Sequence, residues 1–499
     1  MPAVIQPAAD YAGIGPAGIS PAPVDPAAAG PAGTTSAVTD PTLLSAEDLL
    51  ARYAAGTLTP TEALAAITER IARRNPAFNA FVVLNPHAPD AAAESAARWR
   101  AGRPIGPLDG VPVTVKDLVD LAGFPTRRGS RLTDPAPVAD DAPMVLGLKA
   151  AGAVILGKTT TTEFGWKSPG DCPLHGITRN PWDSVRTPGG SSAGAGAAGA
   201  ARFGPLHIGT DAGGSIRIPA AWCGLVGLKP SYGRVPQWPA GAFAAVSCAG
   251  PITRTVRDAA LMLSAMARFD ARDPFCLPDD PRDWRDGIEA GVAGLRVAVL
   301  TRPGFDAPVD ADGAAAVARA AALLADAGAL VEEARAALPD TRLVFSRVWG
   351  AALARLVLSF PVERRGLLDP GLLVVADGMG GMGAAEMLEA DALRAAAGHA
   401  MALLHRRYDL VLCPTVPAGP PEAGAPVENP VEALWTAWAP WTFAFNLTRQ
   451  PAITVPMGLR ADGLPGSVQL VAAQYRDDLV LRAARALERA APFSAPPGG

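Results

Sequence analysis

Apolar positions along this chain follow two rhythms, one of three to four residues and one of two, and segments of each kind alternate. From Ser45 the stretch SAED opens an amphipathic pattern, and Thr59-Pro60-Thr61-Glu62 joins an N-cap, a first-turn proline and a capping carboxylate. Two helices are therefore expected before Asn75-Pro76. VPVTVKD (111–117) and AVIL (153–156) are short and β-branched, with a helical pattern at 140–151 between them, which predicts a β-α-β unit. LRVAVL (295–300), an Ala-rich helix from Asp310 to Ala329, DLVLCP (409–414), PAITVP (451–456) and SVQLVA (467–472) continue the alternation, and a closing helix starts near Asp477. The fold class expected is α/β, a single large domain whose central mixed, mostly parallel, twisted sheet is covered by helices on both faces.

Composition narrows the class of protein. The 499 residues can bury a large core, and a net charge of −4 from 44 basic and 48 acidic residues offers no basic surface for nucleic acid. A small-molecule substrate is the expected partner. Five scattered cysteines with no C-x-x-C pair fit free thiols in a reducing compartment rather than a zinc site. No apolar run reaches the roughly eighteen residues of a membrane span, and the first forty residues carry no Lys or Arg to begin a signal peptide. A cytoplasmic location, without membrane contact, is the expectation. Residues 1–40 are mostly Ala, Pro and Gly, which predicts a disordered tail ahead of a domain spanning 45–499.

Three nucleotide or hydrolase motifs can be found, and each fails on context. GAVILGKT (152–159) matches G-x-x-x-x-G-K-[ST], but its interior is itself a strand, where a phosphate loop needs a turn after one. Within TPGGSSAGAGAAGA (187–200), Gly194, Gly196 and Gly199 spell G-x-G-x-x-G after a Ser-Ser loop instead of a strand, so those small residues are expected to serve close helix packing. Gly190, Ser192 and Gly194 spell G-x-S-x-G, again with turn-forming residues upstream. None of the five histidines, His87, His175, His207, His399 and His405, is singled out by spacing as a triad member.

Two other residues carry more weight. In GTDAGGSIRIPA (209–220), paired glycines before Ser215 let several N–H groups converge, as an oxyanion requires, so Ser215 is either a nucleophile or a turn hydroxyl. Only five basic residues are lysines: Lys116, Lys149, Lys158, Lys167 and Lys229. Lys116 ends an apolar strand, where a charge is costly unless paired or neutralised. A base that must be neutral has to be Lys, because Arg stays protonated. The other reading pairs Lys116 with Asp117 or Asp120.

VPVTVKD, PGGSSAG and GTDAGGSIRIPAAWCGLVGLKPSYGRVP together resemble the amidase signature family of Ser-Ser-Lys hydrolases, from about Ser45 to Arg489. The resemblance implies that Lys116 is the base, Ser191 the bridging serine and Ser215 the acylated nucleophile, and that the Gly190–Ser191 peptide is cis. It assigns the oxyanion hole to the backbone N–H groups of Ala212, Gly213, Gly214 and Ser215, supporting hydrogen bonds to Ser192 and Asp211, and a structural part to Arg217. It further implies an acyl-side wall at Gly165 and Trp166, and no metal or cofactor.

LWTAWAPWTFAF, with Trp435, Trp438, Trp441, Phe443 and Phe445, either adds aromatic walls or packs in the core. The activity expected is hydrolysis of apolar or aryl amides, extending to carbamates (urethanes) and esters, by a monomer or homodimer. The alternative is the A subunit of a glutamine-dependent tRNA amidotransferase, which needs a partner protein.

Overall fold

The computed structural model describes residues 40–379, 381–425 and 439–493. The tail expected at 1–40 lies, except for Asp40, outside the described residues. Helix α1 (Ala46–Ala54) begins with a reciprocal cap between Ser45 and Asp48, and α2 (Pro60–Phe78) repeats the device with Thr59 and Glu62. Each pair satisfies amides that a helix start leaves open. α2 does not stop before Asn75-Pro76, as the sequence suggests. It runs on to Phe78 although Pro76 cannot donate to the Ala72 carbonyl, and ends where Asn79 turns left-handed at φ 53°.

The chain continues through β1 (Phe81–Leu84), α3 (Ala88–Arg100), β2 (Pro112–Lys116), α4 (Pro143–Ala150) and β3 (Val154–Thr159), then a small hairpin of β4 (Asp171–Cys172) and β5 (Gly176–Ile177). A buried middle section follows: α5 (Ala193–Ala200), β6 (Leu206–Asp211), α6 (Arg217–Cys223), β7 (Val226–Lys229), β8 (Cys248–Thr253) and α7 (Val256–Met266). The remainder comprises β9 (Arg296–Leu300), α8 (Ala311–Asp326), β10 (Leu330–Ala334), α9 (Thr341–Leu358), α10 (Pro370–Gly378), α11 (Ala384–His405), β11 (Leu410–Pro414), α12 (Phe443–Leu447), β12 (Ala452–Leu459), β13 (Pro465–Ala472) and α13 (Asp477–Ala490).

Among the described residues eleven strands form one mixed sheet in the order β1-β3-β2-β6-β8-β7-β12-β13-β11-β9-β10. Parallel pairs make two blocks, β3-β2-β6 and β11-β9-β10, and the strands between them pair antiparallel. Parallel pairing is therefore less extensive than the run of strands and helices suggests, because β12 and β13 follow one another as antiparallel neighbours without a crossover helix.

Helices cover both faces. Leu410 and Leu412 point into a core shared with α4, α7, α8 and α13, while Val411 and Cys413, one position along, face α11 and α12. Ile155 joins the first core, and its neighbours Val154 and Leu156 pack under α2, α3 and α5. A further apolar cluster ties α9 and α10 to Phe164, Trp166, Trp222 and Phe443 above the ends of the central strands.

Candidate active site

β2 and β6 are parallel neighbours, with Thr114 opposite His207. Their C-terminal ends therefore bring Lys116 and Thr210 together, at the strand ends where open α/β sheets hold their ligands. Lys116 Nζ lies 2.8 Å from Ser191 Oγ, 2.9 Å from Ser192 Oγ and 2.8 Å from Thr210 Oγ1. The side chain is fully buried. Neither neighbouring carboxylate pairs with it: Asp117 bonds Lys158 Nζ at 2.8 Å, and Asp120 faces Arg128 at 3.9 Å. Burial pushes the Lys116 amine well below the usual lysine range, and only the more distant charge of Asp211 pulls it back. Thr210 has no part in the sequence reading, although it stands in the quoted GTDAGGS block. Its signal was a hydroxyl on the strand beside Lys116, which requires knowing that β2 and β6 are neighbours.

Ser191 and Ser192 enter from the turn before α5, across a cis Gly190–Ser191 peptide. Ser192 Oγ donates to the Thr210 carbonyl at 3.3 Å, so its lone pairs remain for the Lys116 amine at 2.9 Å. Ser215 shares a cavity of about 460 Å³ with Ser191 and Thr210. Among the described residues no hydrogen bond joins the Ser191 and Ser215 hydroxyls.

The loop that carries Ser215 is braced from below. Asp211 accepts the Gly214 N–H at 2.8 Å and the Ile216 N–H at 3.2 Å, and it meets Arg217 twice at 3.0 Å. Burial alone would raise this carboxyl, but Arg217 outweighs it and holds the pKa at about 2. The Gly214 amide is thus committed to Asp211. Of the four amides expected to form the oxyanion hole, those of Ala212, Gly213 and Ser215 have no hydrogen-bond acceptor among the described residues. Gly214 itself adopts φ +136°, and a Cβ there would sit 2.4 Å from Thr442 Oγ1.

Gly165 lines the cavity, and a Cβ on it would lie 3.2 Å from Ser191 Oγ. Trp166 does not. Successive positive φ angles at Phe164 (49°) and Gly165 (79°) turn the chain, so Phe164 faces the cavity while Trp166 packs against Gly371 and Lys167. The aromatic segment resolves similarly: Trp441, Phe443 and Phe445 are buried outside the cavity lining, and Trp435 and Trp438 lie outside the described residues. Among the described residues the aromatic wall comes from Phe164, Tyr232, Trp238, Phe243 and Phe275. The loop QWPAGAFAAVS (237–247) supplies two of these, and only its place between β7 and β8 reveals that it closes the cavity.

The competing motifs take structural positions. Residues 154–159 of GAVILGKT form β3. Gly194, Gly196 and Gly199 lie in α5, where a Cβ would meet Ala80 O at 2.3 Å, Pro219 Cβ at 2.9 Å and Leu225 Cδ1 at 2.7 Å. His207 binds Thr114 Oγ1 and the Gly204 carbonyl, and no histidine hydrogen-bonds Ser191, Ser192 or Ser215 among the described residues. No described helix is long and apolar enough to cross a membrane.

Residues 62–481 match the family model described as Amidase. An acylamidase of Rhodococcus erythropolis is 36% identical over 465 residues, covering 90% of this chain and 96% of the relative. The A subunit of the glutamyl-tRNA(Gln) amidotransferase of Symbiobacterium thermophilum is 35% identical over 480 residues, with 90% and 96% coverage. The crystal structure of a bacterial aryl acylamidase of the amidase signature family superposes with a TM-score of 0.82 at 29% identity, covering 90% of this chain and 96% of that one. The fold and these similarities define an amide-hydrolysing enzyme. The chain belongs to the amidase family.

Proposed function

We propose that the chain hydrolyses amides bearing apolar or aryl groups, in two steps, through an acyl-enzyme on Ser215. The observation that carries this reading is Lys116: fully buried, without a carboxylate partner among the described residues, and surrounded by three hydroxyls at 2.8–2.9 Å. A permanent charge there would be poorly compensated. A neutral amine fits, since Ser192 and Thr210 can accept its two N–H bonds and leave the lone pair toward Ser191.

In the forward step Ser191 passes its proton to Lys116 as it takes the proton of Ser215, and Ser215 Oγ attacks the amide carbonyl. The developing oxyanion is held by the N–H groups of Ala212, Gly213 and Ser215. Ser191 then protonates the departing nitrogen as the C–N bond breaks, and Lys116 returns its proton to Ser191. Water repeats the sequence on the ester and frees the acid. The Ser191–Ser215 contact closes when substrate occupies the cavity, since catalytic hydrogen bonds are often long in unliganded enzymes. Asp211 and Arg217 keep the loop in place. Esters and carbamates present the same carbonyl, so the proposal extends to them as side activities. The reaction uses side chains and backbone alone.

A serine-directed sulfonyl fluoride should add one adduct to the wild type, read by intact mass, and none to Ser215→Ala. An equal adduct on the variant would place the nucleophile elsewhere. A second reading, in which the chain liberates ammonia from glutamine for a partner protein, follows from the amidotransferase relatives. The aromatic wall of the cavity favours the first. Turnover of glutamine by the chain alone, against an aryl anilide, separates the two.

A further inference from the structure

Among the described residues two arginines face the cavity, Arg128 and Arg355, and the reaction proposed above uses neither. Arg128 has a left-handed backbone, φ 51°, which is strained for a long side chain and which glycine would adopt freely. Two backbone hydrogen bonds hold it there. Its N–H donates to the Asp117 carbonyl at 3.1 Å, and its own carbonyl accepts the Phe164 N–H at 2.8 Å. The residue thus spans the neighbours of Lys116 and of Gly165, and its side chain borders the cavity. Among the described residues its only ion contact is Asp120 at 3.9 Å, too long for a hydrogen bond.

Arg355 stands exposed in the last turn of α9 and forms no ion pair among the described residues. The Phe164 ring packs against Phe360 just beyond α9, with centroids 5.8 Å apart. Phe164 is thus bonded through its backbone to Arg128 and packs its ring just beyond the helix that carries Arg355, and all three line one cavity. Among the described residues the one carboxylate on the cavity wall is Asp273, which accepts the N–H groups of Gln237 and Phe275 at 2.8 and 2.9 Å.

We infer that Arg128 and Arg355 form a carboxylate-binding subsite beside Phe164, which selects amide substrates carrying an anionic group away from the scissile bond. The inference rests on the amide hydrolysis proposed above. A guanidinium with no hydrogen-bonded carboxylate among the described residues offers paired N–H donors to the cavity, a geometry that matches a carboxylate bidentately. The strained φ of Arg128 is consistent with a retained side-chain role, since glycine would remove the strain.

Two matched pairs of substrates test this. One sets glutaryl mono-p-nitroanilide against pentanoyl p-nitroanilide, with the charge on the acyl side. The other sets 4-(pentanoylamino)benzoate against pentanoyl anilide, with the charge on the amine side. Wild-type kcat/KM should favour the anionic member of at least one pair by about tenfold, a difference of about 1.4 kcal/mol in barrier, and added salt should narrow that preference. Arg128→Gly, which suits the left-handed backbone, and Arg355→Met should each cut the preference severalfold while turnover of the neutral members stays within about twofold of wild type. Arg355 also sits where a helix dipole favours a cation, and loss of that role would change melting temperature without changing the preference. No anionic preference in either pair, or equal losses on neutral and anionic substrates, overturns the subsite. If the wild type hydrolyses neither member of either pair, the proposed activity falls first and this inference with it.

Discussion

Lys116 and Asp117 are adjacent in sequence, yet they do different work because consecutive side chains at a strand end point to opposite sides. Asp117 turns to Lys158 at 2.8 Å, and Lys116 turns to the serines. Lys116→Arg tests the consequence. Arginine keeps the charge but cannot act as a base, so Arg and Met variants should both lose about a thousandfold or more in anilide turnover while remaining folded by circular dichroism. Wild-type activity should rise with pH as the amine, already shifted down by burial, loses its proton. An Arg variant within about tenfold of wild type would contradict the relay. Glu163, one residue before Phe164, supplies a second test. Its buried carboxyl accepts the Asp369 N–H at 2.6 Å, and burial pushes its pKa up to about 7 from 4.5. A raised carboxyl binds its proton more tightly in the folded state, so its contribution is fully present below pH 4.5 and is lost as pH rises through about 7. Urea melts from pH 5 to 8 should show wild-type stability declining relative to Glu163→Gln across that window; parallel profiles would dismiss the linkage.

At the scale of elements, α5 shows packing overriding propensity. Its sequence AGAGAAGA is glycine-rich, and glycine is about 1 kcal/mol worse than alanine inside a helix. Gly194→Ala should nonetheless destabilise the enzyme, because the added Cβ would press on backbone, Ala80 O at 2.3 Å and Thr160 N at 2.4 Å. Overpacking of this kind costs about 1–3 kcal/mol, which outweighs the propensity gain. Chemical denaturation gives the sign directly, and a stabilised variant would show that the loop at Ala80 yields easily. Helix starts are readable from the sequence, since Ser45 with Asp48 and Thr59 with Glu62 are local pairs. The end of α2 is not, since Asn79 adopts its left-handed turn while its side chain bonds the carbonyls of His175 and Ile177, almost a hundred residues away.

Across the whole molecule, Arg217 connects segments that are distant in sequence. Besides Asp211 it reaches Thr442 O at 2.9 Å, Gln469 Oε1 at 3.0 Å and Asn446 Oδ1 at 2.6 Å, so α6, α12 and β13 meet at one buried cation. Arg217→Met leaves Asp211 buried without its partner, a loss expected to lower stability by about 3–5 kcal/mol in equilibrium unfolding and to reduce Ser215 labelling by sulfonyl fluoride. A variant as stable as wild type would mean that Asp211 finds another counter-charge. The sequence alone determined the alternation of strands and helices, the helix caps, and the resemblance that singled out Lys116, Ser191 and Ser215, because each of these is written in neighbouring residues or in an ordered block. Only the tertiary structure decided the antiparallel centre of the sheet, the commitment of the Gly214 amide to Asp211, the exchange of Trp166 for Phe164 on the cavity wall, and the pairing of Asp117 with Lys158 rather than Lys116. Those outcomes depend on which strands become neighbours and which way a backbone turns, and they are set by contacts between residues far apart in the chain.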